Sequence, residues 1–327
     1  MSATDSPVVS PPYVVRSGEQ VYCPPFAATG THLFAFAVKS DMDAQRTRIC
    51  DRYLNQPLGV TGRFVPVLDQ VFIVFNSIEA LRCTAPDWAD KGWFTEQEAA
   101  VWMMVADLET DRLFWFHPYM LVDNAYALSM GREIYGFPKG LGWFVLPPGP
   151  EAPERLAVET VGVKTWGPDS QGLRQPLFEV RRTGQTASLA QLVDDVTDVA
   201  QLMTEVLRLS ELDAPWFEKL GLAAHFMDDL LHLRLPMVFL KQFRDGLNPR
   251  ATCYQVVQEV NVQLTRFQGA RIYAEAFELL INDLDSHPVR ADFGLADGPI
   301  ALEYGFWTLF DFTIGPCTQV WPTRSTA

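Results

Sequence analysis

The chain has 327 residues, 48% hydrophobic and 20% charged, which is enough apolar material for a substantial core and excludes both a disordered chain and a small stapled scaffold. A formal charge of −14, with no Lys/Arg cluster to reverse it locally, argues against nucleic acid or an anionic membrane as partner. No apolar run approaches the span of a bilayer. The five cysteines, Cys23, Cys50, Cys83, Cys253 and Cys317, are odd in number, scattered and never spaced as CxxC, which predicts reduced thiols. Met1 to Pro12 has neither the basic start nor the apolar segment of a secretory signal, so the expected location is the cytoplasm.

Residues 1–25 are rich in proline and serine and read as an extended arm, followed by a single domain over 26–320. THLFAFAVK, Thr31 to Lys39, alternates partly at period two and predicts a strand. Asp41 or Asp43 then caps a helix of about three turns that ends near Gly59. Val67 to Ile78 predicts a buried strand, Glu98 to Leu108 and Leu113 to Phe116 two more, and Glu109 to Arg112 a hairpin turn between them. Strand candidates continue at Val158 to Trp166 and Pro176 to Arg182.

Over 188–235 the period changes. Leu189, Leu192, Val193, Val196, Ala200, Met203 and Leu207 fall on one helical face, and after Pro215 a second face follows from Trp216 to Leu231, so an inserted helical hairpin is expected. Strands resume with MVFLKQF from Met237. Val260, Val262 and Leu264 alternate with polar residues, and Arg271 to Ile281 and Ile300 to Ile314 are further candidates. No β-helix-β periodicity recurs, and the class expected is α+β, mainly antiparallel β.

The stretch LVDNAYALSMGREIYGFPKGLGW, Leu121 to Trp143, carries the chemistry. Asp123 and Asn124 can cap a helix, while Gly136 and Pro138 force it to end, and the turn presents one lysine, Lys139, among Tyr135, Phe137, Leu141 and Trp143. Apolar neighbours cannot solvate an ammonium, so the amine is expected to be neutral near pH 7. The alternative is an ordinary solvated surface lysine.

This stretch resembles the active-site segment of the acetoacetate decarboxylase family, with Lys139 on the Schiff-base lysine; such a lysine is a known example of an activated nucleophile. Ser40-Asp41-Met42-Asp43-Ala44 resembles the family's Thr-Asp-Met-Asp-Ala segment. Gly92-Trp93-Phe94-Thr95-Glu96 resembles its Gly-x-Tyr-Thr-Glu segment, which puts Glu96 on the catalytic glutamate.

The resemblance implies a double-barrel-like β core carrying the helical hairpin as an insertion, catalysis by Lys139 and Glu96, and substrate contacts from Phe137 and Trp93. It also implies a cofactor-independent lyase, a keto acid or ketone as substrate, and a homo-oligomer. Decarboxylation of a β-keto acid is the leading activity, with an aldolase-dehydratase or a non-catalytic small-molecule binder as alternatives.

Three departures stand out. Gly140 replaces the family's second lysine, the position of a substrate-anchoring arginine falls near Thr31, and the second core-strand glutamate is expected within Phe72 to Phe75, where none exists. A larger, more apolar keto compound than acetoacetate is therefore expected. His225, Asp229 and His232 share a helical face, but satisfied histidines on a polar face are the preferred reading and no metal is predicted. Arg132 and Glu133 are expected to form a structural ion pair at the helix end.

Overall fold

The structure is a computed structural model and describes residues 12–186, 229 and 232–321. Of the stretch 188–235, where the helices are expected, only 229 and 232–235 are among the described residues, and Arg234 and Leu235 already belong to a strand.

Among the described residues, fourteen strands form one mainly antiparallel sheet. They are β1 (Phe26–Lys39), β2 (Phe64–Pro66), β3 (Gln70–Cys83), β4 (Trp93–Asp107), β5 (Arg112–Val122), β6 (Lys139–Val145) and β7 (Arg155–Gly162), followed by β8 (Leu173–Thr186), β9 (Arg234–Arg244), β10 (Thr252–Ile272), β11 (Glu275–Ile281), β12 (Ile300–Ala301), β13 (Tyr304–Ile314) and β14 (Gln319–Trp321).

The pairings close a ring that runs β5-β9-β10-β13-β1-β3-β4 and returns to β5. A single parallel bridge, Trp115 to Met237, makes the β5–β9 seam. From β5 the sheet continues outward through β6, β7, β8, β11 and β12. Phe36 against Phe277 at 5.0 Å and Phe75 against Phe178 at 6.5 Å join this second leaf to the ring. The fold is therefore α+β and mainly antiparallel, as the strand alternation predicts.

The local rules explain the elements. Asp41 Oδ1 accepts a hydrogen bond of 2.7 Å from the Ala44 backbone N–H, starting a helical run over Met42–Ala44, Gln45–Asn55 and Gln56–Leu58 that ends at Gly59 with φ 67°. It buries Ile49, Cys50 and Leu54. In β10, Val260, Val262 and Leu264 are buried while Asn261 and Gln263 are not, the alternation of a strand with one face on the core. Arg271 to Ile281 is two strands, because the backbone leaves β10 at Tyr273.

Two features of the sheet position the site. Successive residues of a strand face opposite ways, so Glu96, Glu98 and Trp102 of β4 share one face of the sheet. Asn76 of β3 stands directly across from Glu98. Between β5 and β6 the helical turn returns the chain in parallel, aligning Met120 with Lys139. This parallel return was not expected from the sequence; it places Lys139 as the first residue of a strand and not on an open turn.

Candidate active site

Asn124 Oδ1 accepts from the Ala127 backbone N–H at 2.9 Å and starts the helix Ala125–Met130, which widens over Gly131–Tyr135 and stops at Gly136 with φ 71°. No residue with a Cβ is comfortable there. Besides the left-handed backbone, an added carbon would lie 2.7 Å from the Lys241 Cα. One carbonyl of the last turn, Ile134 O, is held from outside, by Gln258 at 2.9 Å and by the Lys241 ammonium at 3.2 Å. Arg132, expected beside Glu133, instead donates to the Lys139 carbonyl at 3.1 Å. The lysine's backbone is therefore pinned on both sides of the turn.

Lys139 enters a cavity of about 820 Å³, counting its mouth, with a mainly apolar wall that includes Phe26, Leu33, Leu81, Met120, Met130 and Phe310. Its Nζ donates to Glu96 Oε1 at 2.6 Å and stands 3.6 Å from Glu98 Oε2. Asn76 Nδ2 donates to Glu98 Oε1 at 3.0 Å. All three ionisable side chains are buried. The Phe137 ring lies 5.6 Å from the ammonium, a cation-π contact, and is itself wedged against Phe239 at 4.4 Å.

The electrostatics correct one expectation. Burial alone draws the Lys139 pKa down, but Glu96 and then Glu98 outweigh it, and the net shift is upward. The resting side chain is an ammonium within a carboxylate pair, not a neutral amine in a greasy recess. The counterpart is Glu98, which burial pushes up to about 7, with Glu96 adding to the rise and Lys139 opposing it. Such a cluster holds a proton that can move between three groups over short distances.

Of the residues expected at the site, the structure brings Lys139, Glu96 and Phe137 to one cavity. Trp93 does not reach it: it stands at the start of β4, 60% exposed. Its neighbours explain the difference, since Glu96 faces inward and an odd step along the strand faces outward.

No glutamate stands within Phe72 to Phe75 of β3, and the cavity takes a second glutamate beside Glu96 from β4, Glu98. A strand running back from Glu98 through Glu96 would have revealed it, because residues two apart share a face. Thr31 lines the cavity where an arginine was sought, and among the described lining residues Lys139 is the sole Lys or Arg. Sequence reasoning also missed Asn76, Trp102 and His117, all in the wall.

Solved structures with this architecture share little sequence with the chain. Acetoacetate decarboxylase from Legionella pneumophila superposes with a TM-score of 0.57 at 13% identity, covering 98% of this chain and 99% of that one. An acetoacetate decarboxylase-like enzyme from Sphingomonas wittichii RW1 gives 0.55 at 13% identity, covering 95% and 98%.

The chain has the acetoacetate decarboxylase-like fold. A third example of this fold, the enduracididine biosynthesis enzyme MppR complexed with the condensation product of pyruvate and imidazole 4-carboxaldehyde, gives 0.51 at 15% identity over 98% and 97%. No protein-family model and no curated protein sequence matches the chain. Within the acetoacetate decarboxylase-like fold, then, the residues of the cavity carry the functional argument.

Among the described residues, no group of three or more His, Cys, Asp and Glu side chains could hold a metal ion. Asp229 pairs with Arg234 at 3.0 Å, and His225 lies outside the described residues. No described helix is long and apolar enough to cross a membrane.

Proposed function

We propose that the chain is a Schiff-base lyase acting on a keto acid, most directly by decarboxylating a β-keto acid. One observation carries the reading: a lysine amine inside a mainly apolar cavity, 2.6 Å from one carboxylate and 3.6 Å from a second.

Lys139 passes a proton to Glu96, and the free amine adds to the keto carbon. The former carbonyl oxygen leaves as water, with protons supplied by the carboxyl pair, and a protonated imine remains. The bond to the carboxylate carbon then breaks. Its electron pair moves toward the imine nitrogen to give an enamine, and carbon dioxide departs. A carboxyl group protonates the enamine carbon, and water releases the ketone and restores the amine. Phe137 supplies the apolar wall beside the reacting nitrogen.

The raised Lys139 pKa supports a role for the carboxylates as proton acceptors, because an ammonium must be deprotonated before it can attack. The same enamine could add to an aldehyde and lose water. The MppR complex with a pyruvate-aldehyde condensation product favours keeping that reaction as the second reading. With either reaction we propose a cytoplasmic homo-oligomer, whose assembly light scattering would measure.

The test is incubation with a panel of keto acids, borohydride reduction and peptide mapping. A secondary amine on Lys139 and loss of turnover in Lys139→Ala are expected. Carbon dioxide release marks the first reaction and a new carbon-carbon bond the second. Tight binding with neither adduct nor product would make the chain a binder and overturn the proposal.

A further inference from the structure

Deeper along β4, the cavity wall contains polar groups that the chemistry above does not use. Trp102 and His117 stack face to face, 4.2 Å apart and 13° from parallel, and both line the cavity. The edge of His117 meets Phe239 at 5.5 Å. Neither ring nitrogen of His117 nor Nε1 of Trp102 has a hydrogen-bond partner among the described residues, although all three atoms are buried. Leaving such groups unpaired costs about 1–3 kcal/mol each in a folded protein, so three together in one cavity wall call for an occupant.

We infer that His117 and Trp102 form a distal recognition site for an uncharged oxygen, keto or hydroxyl, borne on the far end of an apolar substrate whose near carbonyl reacts with Lys139. The inference rests on the function proposed above and names the substrate class for that site.

Its chemistry follows from the donors. The Trp102 indole has a donor and no acceptor, so its partner must accept a hydrogen bond. A neutral imidazole offers one donor and one acceptor, which suits either a keto or a hydroxyl oxygen. Burial, then the Lys139 charge, pushes the His117 pKa down to about 3, so the imidazole stays neutral across the physiological range.

An anionic tip would find no countercharge there, since Lys139 is the sole Lys or Arg among the described lining residues. At a rise of about 3.3 Å per residue, the Glu98 and Trp102 backbones stand about 13 Å apart, so several carbons must separate the two oxygens.

Nonan-2-one and nonane-2,8-dione are a matched pair of probes, equal in length and differing in the second oxygen. Calorimetry on the full chain reads binding whether or not an imine forms, and borohydride trapping reads the imine separately.

We expect the dione to bind about ten-fold more tightly, beyond the two-fold given statistically by its second carbonyl. The preference should fall to that two-fold in His117→Phe and in Trp102→Phe. These variants keep an aromatic ring in place, and thermal denaturation verifies their folding. A purely structural role would lower the denaturation temperature without changing the ratio between the ketones.

Equal binding of the two ketones by the wild-type chain, no binding of either, or a ratio that survives in both folded variants overturns the inference. Preference without any trapped adduct would uphold the distal site and reject the Schiff-base reading. Adduct without preference would do the reverse.

Discussion

Gly131 makes room for Lys139: a Cβ built on the glycine would lie 2.6 Å from Lys139 Cδ and 3.1 Å from Cε. The glycine has ordinary helical torsions, φ −59° and ψ −45°, so space and not backbone freedom requires it. Gly131→Ala should therefore push the lysine stem off its path. Overpacking of this kind costs about 1–3 kcal/mol, of which alanine's better helix propensity returns up to about 1 kcal/mol. A misplacement of the order of an ångström can cost about a hundred-fold in rate. Trapping at Lys139 should slow at least about ten-fold while the denaturation temperature changes modestly, and an unchanged trapping rate would show that the helix yields instead.

Glu96 is the main group holding Lys139 as an ammonium against the pull of burial. In Glu96→Gln the lysine pKa should drop, because a hydrogen-bonded countercharge is lost while burial remains. Glu98 limits the drop, because without its neighbour's charge it ionises more readily. NMR titration of isotope-labelled lysine would measure the shift directly. The rate of imine formation should meanwhile fall, since the nearest proton acceptor is gone. A lysine pKa that stays put would mean that Glu98 alone sets it.

Two buried groups give opposing slopes of stability with pH. Glu98 has its folded pKa raised from the ordinary 4.5 to about 7, so its contribution is fully present below 4.5 and is lost as pH rises to 7. His117 has its folded pKa lowered from 6.5 to about 3, so its contribution is present above 6.5 and is lost as pH falls toward 3. Between 4.5 and 6.5 the two slopes, each up to about 1.4 kcal/mol per pH unit, nearly cancel. Denaturant titrations should show the contrast: His117→Phe makes stability fall with rising pH in that window, and Glu98→Gln makes it rise. Parallel curves for the two variants would contradict the assignments.

How far the site could be read in advance depended on which interactions are local in sequence. The Asn124 cap and the stop at Gly136 are contained within a dozen residues, and the spacing alone located them. The period-two run around Val260 also reports faithfully, since burial on one face of a strand is written into alternate residues, and the continuous apolar run Val71 to Phe75 is a strand buried on both faces.

The charge state of Lys139 was another matter. Its sequence neighbours are apolar and imply a neutral amine, but the residues that decide it are Glu96 and Glu98, 43 and 41 positions earlier, brought across by β4. The parallel placement of β6 beside β5 was equally invisible, because it depends on a crossover and not on any periodicity within β6. The stacking of His117 on Trp102 needs the β4–β5 register, with its shift between Val101 and Met103, and no spacing rule supplies that.

The ammonium also has a structural role, which makes the usual knockout ambiguous. Lys139→Met removes the cation and leaves Glu96 and Glu98 buried side by side in a mostly apolar cavity. Breaking a buried pair by deleting one partner costs about 3–5 kcal/mol, because the remaining charge is uncompensated. Glu98, which the lysine charge holds down, would respond by taking up a proton, so its folded pKa rises further above the ordinary 4.5. Stability is then retained below 4.5 and lost as pH rises through the raised Glu98 value, so the variant should approach the wild type near pH 4 and fall furthest behind in alkaline solution. The triple variant Lys139→Met, Glu96→Gln, Glu98→Gln should recover most of the deficit and lose its pH dependence while remaining unable to form an adduct. A deficit in Lys139→Met that is the same at every pH would show that packing of the lysine stem, and not its charge, holds this part of the cavity together.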